Sequence, residues 1–254
     1  MKIAFFSSSD FCIPIIDSIY QSERSNLSLL EVFWNQYQWL VDNQASFKQI
    51  LPRDWLNDSL VESLKEIISQ SCKFSKLEQI INSKIQLELI VTQPNRLNRT
   101  KLIQNSVTSY ALVNDIKIYQ PEKINQEIEI YQEKIREVEV AILASYGQIL
   151  NQAVLDAPEF GFLNWHPSKL PLLRGPTPMQ TALFQGFEST ALSWLEMTKQ
   201  MDAGEIWLQL EVDLNSEIDI NQLANQMGLL GSQTWSLPLM YKIVNQIIDK
   251  NKIS

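Results

Sequence analysis

The chain has 254 residues, of which 45% are apolar and 20% are charged, so it is long enough to bury a large core within one domain. Its formal net charge of −8 argues against broad, non-specific binding to nucleic acid and leaves room only for a local basic patch. No apolar run has the length of a membrane span or of a secretory signal, so we expect a cytoplasmic protein.

The amino-terminal segment predicts the start of an α/β fold. Residues 2–6 are an apolar run typical of a buried strand, three serines follow as a turn, and residues 11–20 have helical spacing with Asp10 as a candidate cap. This is the opening of a Rossmann-like unit. The two cysteines, Cys12 and Cys72, match no metal or disulfide framework, and we interpret them as buried or half-buried thiols in a reducing compartment.

Residues 21–86 predict three amphipathic helices. Apolar side chains recur at helical spacing in three stretches, at 30–41, 60–68 and 77–85. A helical segment of this kind is either a packed structural appendage or a substrate lid or dimer interface, and its composition favours the appendage.

A basic loop follows the next apolar strand, at 87–92. No acidic residue occurs from Leu89 to Asn114, whereas Arg96, Arg99 and Lys101 fall within six positions. Such a cluster can steer and position a phosphate backbone, or it can be an ordinary solvated loop. Charge alone leaves both interpretations open.

The pattern then alternates between helices and strands, which predicts a mainly parallel sheet flanked by helices. Helices are expected at 104–113 and 125–137, with strands at 116–119 and 138–144. Gly147 leaves the second of these strands, and a glycine there lets the backbone approach a planar ring.

The only histidine of the chain follows the apolar run 160–163. Asn164 and His166 are two residues apart, so their side chains point the same way off a strand end, where open α/β sheets bind their ligands. A lone histidine is more often structural, but the stiff, proline-rich loop after it, at 167–178, is of the kind that usually has a function.

Beyond this loop we expect a helix at 178–185, strands at 191–197 and 206–212, and two helices between 219 and 250 that are separated near Gly231. Asp202 falls on the turn between the two strands, in the sequence Asp-Ala-Gly. An aspartate before a glycine is usually only a turn residue, but a meeting with Asn164 and His166 would give it a catalytic role.

These residues resemble the signature of the folate-dependent formyltransferases. That signature is Asn-x-His followed by Pro-Ser-x-Leu-Pro and, thirty-odd residues later, Asp-x-Gly, and it matches Asn164, His166 and Asp202. The stretch Arg-Gly-Pro-Thr-Pro-Met-Gln at 174–180 is most similar to the methionyl-tRNA formyltransferases. The resemblance implies the formyltransferase fold and transfer of a formyl group, in translation initiation, from 10-formyltetrahydrofolate as co-substrate to the amino group of initiator methionyl-tRNA, without a metal.

The resemblance also implies roles for individual residues. Asn164 and protonated His166 would donate hydrogen bonds to the developing oxyanion, and Asp202 would keep the histidine charged and help to take the proton from the amine. The expected folate contacts are Ser145, Tyr146, Gly147, Ile149, Leu150 and Met201. The expected acceptor contacts are Arg96, Arg99, Lys101, Arg174 and Gly175.

For the domain organisation, the resemblance implies a single catalytic domain over 1–254, with residues 21–86 as an α-helical insertion and without the carboxy-terminal β-barrel domain that such enzymes usually carry. Two alternatives remain open at this stage. An enzyme of the same chemistry could act on an amino-sugar nucleotide, or the chain could be a non-catalytic binding relative. The second alternative predicts the loss of Asn164, His166 or Asp202, and all three are present.

Overall fold

A sheet of eight strands forms the middle layer of the computed structural model, which describes residues 1–43, 48–51, 75–98 and 101–253. In chain order the described strands are β1 (Lys2–Phe6), β2 (Lys48–Leu51), β3 (Gln86–Val91), β4 (Arg96–Asn98), β5 (Lys101–Ile103), β6 (Ile118–Tyr119), β7 (Val140–Ala144), β8 (Phe162–His166), β9 (Ser189–Glu196) and β10 (Ile206–Asp213). The order across the sheet is β2, β10, β9, β8, β7, β1, β3, β6, while β4 and β5 pair only with each other.

The sheet is parallel over its larger part. The five strands from β8 to β6 pair in parallel, and β9, β10 and β2 continue the sheet in antiparallel pairings. This confirms the predicted mainly parallel sheet flanked by helices. The antiparallel part arises because β9 and β10 form a hairpin, which needs no crossover helix.

Nine α-helices surround the sheet within the described residues. They are α1 (Ile13–Arg24), α2 (Leu29–Asp42), α3 (Ser75–Ile81), α4 (Ser106–Val113), α5 (Ile128–Lys134), α6 (Gln152–Leu155), α7 (Pro178–Phe184), α8 (Ile220–Ser232) and α9 (Ser236–Ile253).

The expected start of α1 was wrong. Asp10 lies in a 3-10 turn over Asp10–Cys12, its carboxylate accepts from the Phe11 N–H at 2.9 Å, and α1 begins only at Ile13.

Both faces of the sheet are buried. In β1, Ile3 and Phe5 point into one apolar core and Ala4 and Phe6 into the other. The first core contains buried side chains of α1, α2, α8 and α9, and the second contains those of α5 and α6. Burial on two faces explains why the parallel strands read as continuous apolar runs in the sequence.

The segment 21–86 contributes to the first core through α2. A capping box of Ser28 and Glu31 starts this helix, which packs against α9. At that contact the buried Gln36 amide donates to the Ser232 carbonyl at 3.0 Å and accepts from the Ser236 N–H at 2.9 Å. Within the described residues α2 is therefore packed into the core, while the interpretation of the whole segment as a structural appendage stays a prediction.

Two of the three helices predicted in this segment are present, as α2 and α3. The third prediction, at 60–68, lies outside the described residues. The predicted helix at 77–85 extends only to Ile81, and Ile85 precedes β3. Strand β2 was not predicted; it pairs antiparallel with β10 and so extends the sheet.

The last two helices match their prediction closely. Asp219 caps α8, accepting from the backbone N–H groups of Asn221 and Gln222, and Pro238 falls in the first turn of α9, where its missing N–H costs nothing. None of the helices within the described ranges is both long and apolar enough to cross a membrane.

We expect Gly228→Ala to destabilise the fold, because a Cβ at this position of α8 would lie 2.1 Å from the Phe11 carbonyl oxygen. Overpacking against backbone should lower the free energy of unfolding by roughly 1–3 kcal/mol, which exceeds the gain of about 1 kcal/mol in helix propensity. Urea denaturation measures the change. The neighbouring Leu229→Ala, at an exposed position, is the control, and equal stability of Gly228→Ala and the wild type would contradict the close approach.

Candidate active site

Strand β8 presents Asn164 and His166 at its carboxyl end. The strand lies between β7 and β9, and its alternate side chains Leu163 and Trp165 are buried in the first core. Asn164 and His166 therefore point to the opposite side, where they line a cleft and are only 4% and 6% exposed. This confirms the predicted common direction of the two side chains.

Asp202 meets both of these side chains. The Asn164 Nδ2 amide donates to Asp202 Oδ1 at 3.3 Å, and His166 Nδ1 lies 3.6 Å from the same oxygen. The other carboxylate oxygen, Oδ2, accepts from the Gly175 N–H at 2.8 Å. The end of β8 and the loop after it thus converge on one carboxylate from a later turn of the chain.

The turn that carries Asp202 is tightly constrained. Asp202 has a φ of 48°, in the left-handed region, and a Cβ on Gly204 would lie 1.9 Å from the Glu196 carbonyl oxygen. The glycine of the Asp-Ala-Gly sequence is therefore required by packing. The side chain of Glu196 accepts from Lys242 Nζ and from Trp207 Nε1, so α9 holds the base of the hairpin. Burial lowers the pKa of Lys242.

The second ring nitrogen of His166 has a partner in the following loop. Nε2 lies 2.9 Å from the Leu173 carbonyl oxygen, which also accepts from the Ser168 hydroxyl at 2.6 Å. The imidazole is consequently held on both sides, by a backbone carbonyl on Nε2 and by a carboxylate facing Nδ1. Such contacts fix the orientation of the ring.

Asn164, His166 and Asp202 are referred to below as the triad. The cleft beside the triad has a volume of about 500 Å³. Its lining includes every residue expected to contact folate, namely Ser145, Tyr146, Gly147, Ile149, Leu150 and Met201. At the rim, Ile149 is 75% and Met201 is 55% exposed, which leaves apolar surface that a planar ligand can cover. Gly147 has a φ of 83°, and a Cβ there would lie 2.4 Å from Gln93 Nε2.

A smaller pocket of about 370 Å³ adjoins the cleft and shares Ser9 and residues 145–147 with it. Arg96 lies on its wall and donates to Gln93 Oε1 at 3.1 Å. The Gln93 side chain in turn donates to the Tyr146 carbonyl at 2.8 Å, so it connects the basic segment to the wall of the cleft.

The residues expected to contact the acceptor are only partly brought together. The segment interpreted as a basic loop forms the hairpin β4–β5 instead, because Arg96–Asn98 pairs antiparallel with Lys101–Ile103. Arg99 lies outside the described residues, as does the side chain of Lys101. Gly175 lines the cleft, whereas the exposed side chain of Arg174 lines neither pocket.

Sequence reasoning missed several polar groups behind the triad. They are Ser168, the Leu173 carbonyl, Ser193 and Gln209. Ser193 and Gln209 each lie between two apolar residues of their strands and are fully buried, and buried polar side chains need hydrogen-bond partners. A polar residue between two apolar residues of a predicted strand was therefore the available signal.

The described residues supply neither a cysteine nucleophile nor a metal site. Burial raises the pKa of the Cys12 thiol to about 12, so the thiol stays protonated near neutral pH. Its buried position agrees with the prediction, while Cys72 lies outside the described residues. Within the described ranges, no group of three or more His, Cys, Asp or Glu is placed to hold a metal ion.

Curated relatives at about one-third identity are methionyl-tRNA formyltransferases. The one from Mycoplasma genitalium is 34% identical over 160 residues, which cover 62% of this chain and 50% of that protein. The one from Mycoplasmopsis pulmonis is 34% identical over 200 residues, which cover 75% of this chain and 68% of that protein. The chain spans about half the length of most of the curated relatives it matches.

Solved structures share the fold at much lower identity. A phosphoribosylglycinamide formyltransferase from Bacillus halodurans superposes with a TM-score of 0.59 at 16% identity, covering 95% of this chain and 94% of that one. A formyltetrahydrofolate deformylase from Pseudomonas syringae gives a TM-score of 0.58 at 13% identity, over 94% of this chain and 59% of that one.

A family model described as formyl transferase matches residues 63–237, which include β8, the loop after it and the Asp202 turn. The match thus covers all the groups that converge on the Asp202 carboxylate. Together with the sequence relatives, it shows that the chain belongs to the formyl transferase family.

Proposed function

We propose that the protein transfers a formyl group from 10-formyltetrahydrofolate to the amino group of methionyl-tRNA. The observation that carries the proposal is the convergence of Asn164, His166 and Asp202 at the end of a cleft with an apolar, partly uncovered rim. The names of the sequence relatives support methionyl-tRNA as the acceptor. The reaction would belong to translation initiation in the cytoplasm, with initiator methionyl-tRNA as the partner.

The cleft fits a planar folate ring by its chemistry. Residues 145–150 offer main-chain groups on one wall, and Ile149 and Met201 offer apolar surface at the rim. Bound 10-formyltetrahydrofolate supplies a formyl group, which leaves the folate nitrogen as the acceptor amine bonds to its carbon. No metal is needed for this transfer.

Asn164 and His166 would stabilise the charge that develops during the attack. One hydrogen of the Asn164 amide is directed at Asp202, which leaves the second hydrogen for the formyl oxygen. Protonated His166 would donate through Nδ1, the nitrogen that faces Asp202 and the cleft. Fixed donors on buried side chains such as Asn164 and His166 stabilise an oxyanion more strongly than water does.

Asp202 and His166 would transfer the two protons that move during the reaction. The acceptor amine loses one proton on forming the amide, and the departing folate nitrogen gains one. The carboxylate of Asp202 would take the first, directly or through a water, and His166 would supply the second. The contacts of Asp202 with Asn164 and the Gly175 N–H hold the carboxylate in position for this task.

Replacing the triad should abolish transfer without unfolding the protein. We expect His166→Ala and Asp202→Asn to lower kcat/KM by roughly 10²–10⁴-fold, because each removes a proton-transfer or charge-stabilising group. Single-turnover formylation measures the loss, and urea denaturation checks the fold. Asp115→Asn is the matched control, since Asp115 is an exposed aspartate with a φ of 55°. Full activity of His166→Ala would refute the assignment.

The acceptor can be identified by direct competition. Charged initiator methionyl-tRNA and a panel of amino-sugar nucleotides are offered to the purified protein with 10-formyltetrahydrofolate. We expect formylated methionyl-tRNA as the product. Formylation of a sugar nucleotide alone would instead establish the alternative acceptor and contradict a role in translation initiation.

Arg96 should contribute to tRNA binding through phosphate contacts. We expect Arg96→Ala to raise the KM for methionyl-tRNA roughly 3- to 10-fold and to reduce the slope of log KM against log salt by about one. Arg136→Ala is the control, because Arg136 is exposed but lines neither pocket, and this change should leave both the KM and the salt slope unaltered. An unaltered salt slope in Arg96→Ala would show that the arginine contacts no phosphate.

A further inference from the structure

Two pairs of hydrogen bonds, joined through Ser168, connect β10 to the carbonyl group that contacts the His166 imidazole. Gln209 Nε2 donates to Ser193 Oγ at 2.8 Å, and the Ser193 hydroxyl donates to the Ser168 carbonyl at 2.6 Å. The Ser168 hydroxyl donates to the Leu173 carbonyl at 2.6 Å, next to His166 Nε2 at 2.9 Å. The side chains of Gln209, Ser193 and Ser168 are fully buried.

The chemistry of these groups fixes where each proton lies. Carbonyl oxygens only accept, so the Ser193 hydroxyl proton must point to the Ser168 carbonyl and Ser193 Oγ must accept from the Gln209 amide. By the same argument, the Leu173 carbonyl requires a proton on His166 Nε2. A neutral imidazole carries one proton, so Nδ1 is then left with a lone pair.

The groups on the two sides of the ring favour different positions for that single proton. The Leu173 carbonyl requires it on Nε2, whereas the Asp202 carboxylate favours it on Nδ1. The Nε2 contact is a hydrogen bond at 2.9 Å, and the Nδ1 contact, at 3.6 Å, is beyond hydrogen-bond length. The neutral ring should therefore keep its proton on Nε2.

We propose that Ser168, Ser193 and Gln209 are positioning residues that hold the Leu173 carbonyl against His166 Nε2 and so make Nδ1 the nitrogen that releases the proton. The inference rests on the proposed formyl transfer. When the Nδ1–H bond breaks, its electron pair stays on Nδ1 and the proton forms a new N–H bond on the departing folate nitrogen. The ring is left as the Nε2–H form that the Leu173 carbonyl stabilises.

Sheet packing alone would not require this arrangement. Ser193 and Gln209 occupy strand positions where apolar side chains would fill the space, and burying amide and hydroxyl groups costs free energy unless each has a partner. Gln209 also donates to the Leu170 carbonyl at 3.2 Å, so the same amide contacts the loop behind the histidine directly at Leu170 and, through the Ser193 hydroxyl, at Ser168. A fully connected network of this kind restricts the loop to one geometry.

Because His166 is the only histidine, nitrogen NMR of histidine-labelled protein reports its tautomer without ambiguity. At a pH where the ring is neutral, we expect the Nε2–H form in the wild type. Ser168→Ala and Ser193→Ala should move the neutral ring toward the Nδ1–H form, because the carbonyl on Nε2 loses its support. Thr190→Val is the control, since it removes from β9 another buried hydroxyl, one without a hydrogen-bond partner.

The same variants are then assayed for formyl transfer. We expect Ser168→Ala and Ser193→Ala to lower kcat on the order of tenfold with KM within about twofold of the wild type, and Thr190→Val to behave like the wild type. A purely structural role would instead lower stability and leave the tautomer unchanged.

Three results would overturn the proposal. They are an Nδ1–H wild-type ring, an unchanged tautomer in both serine variants, and an equal shift in Thr190→Val. The NMR measurement does not depend on activity. If it gives the expected result while no acceptor is formylated, the proposed function fails and the control of the tautomer stands.

Discussion

The burial of β8 on both faces is the constraint on which the site depends. One set of side chains, Leu163 and Trp165, is buried in the first core, and this forces Asn164 and His166 to the other side of the strand. Pairing with β7 and β9 prevents a slip in register, which would exchange the two sets. The strand thereby holds the Asn164 amide and the His166 imidazole close to each other, and the two side chains need not contact each other.

The Asp202 turn completes the site from a separate part of the chain. Asp202 has a left-handed backbone conformation and Gly204 packs closely against the Glu196 carbonyl, so this turn would be unfavourable in isolation. The antiparallel pairing of β9 with β10 and the contact of Glu196 with the buried Lys242 stabilise it. The carboxylate can therefore bind Asn164 and the Gly175 N–H at once. The loop after β8 is fixed to the same hairpin through Ser193 and Gln209.

In the proposed function, the two adjoining pockets have different roles, the larger one for the formyl donor and the smaller one for the acceptor. The larger cleft combines the triad with an apolar rim, which are the features that a formyl donor needs. The smaller pocket joins it through residues 145–147 and carries Arg96, so it lies where an acceptor with a phosphate could approach.

The sequence by itself determined the sheet class, most of the helices and strands, the common direction of Asn164 and His166, and the turn that follows β7. These features follow from local periodicity and turn chemistry, which neighbouring residues decide. Only the tertiary structure decided the hairpin β4–β5, the pairing of β2 with β10, the start of α1 after Asp10, and the exclusion of Arg174 from both pockets. It alone revealed the contacts of Gln209 with Leu170 and of Leu173 with His166, because neither long-range hydrogen bonds nor the path of an irregular loop leaves a periodic pattern in the sequence.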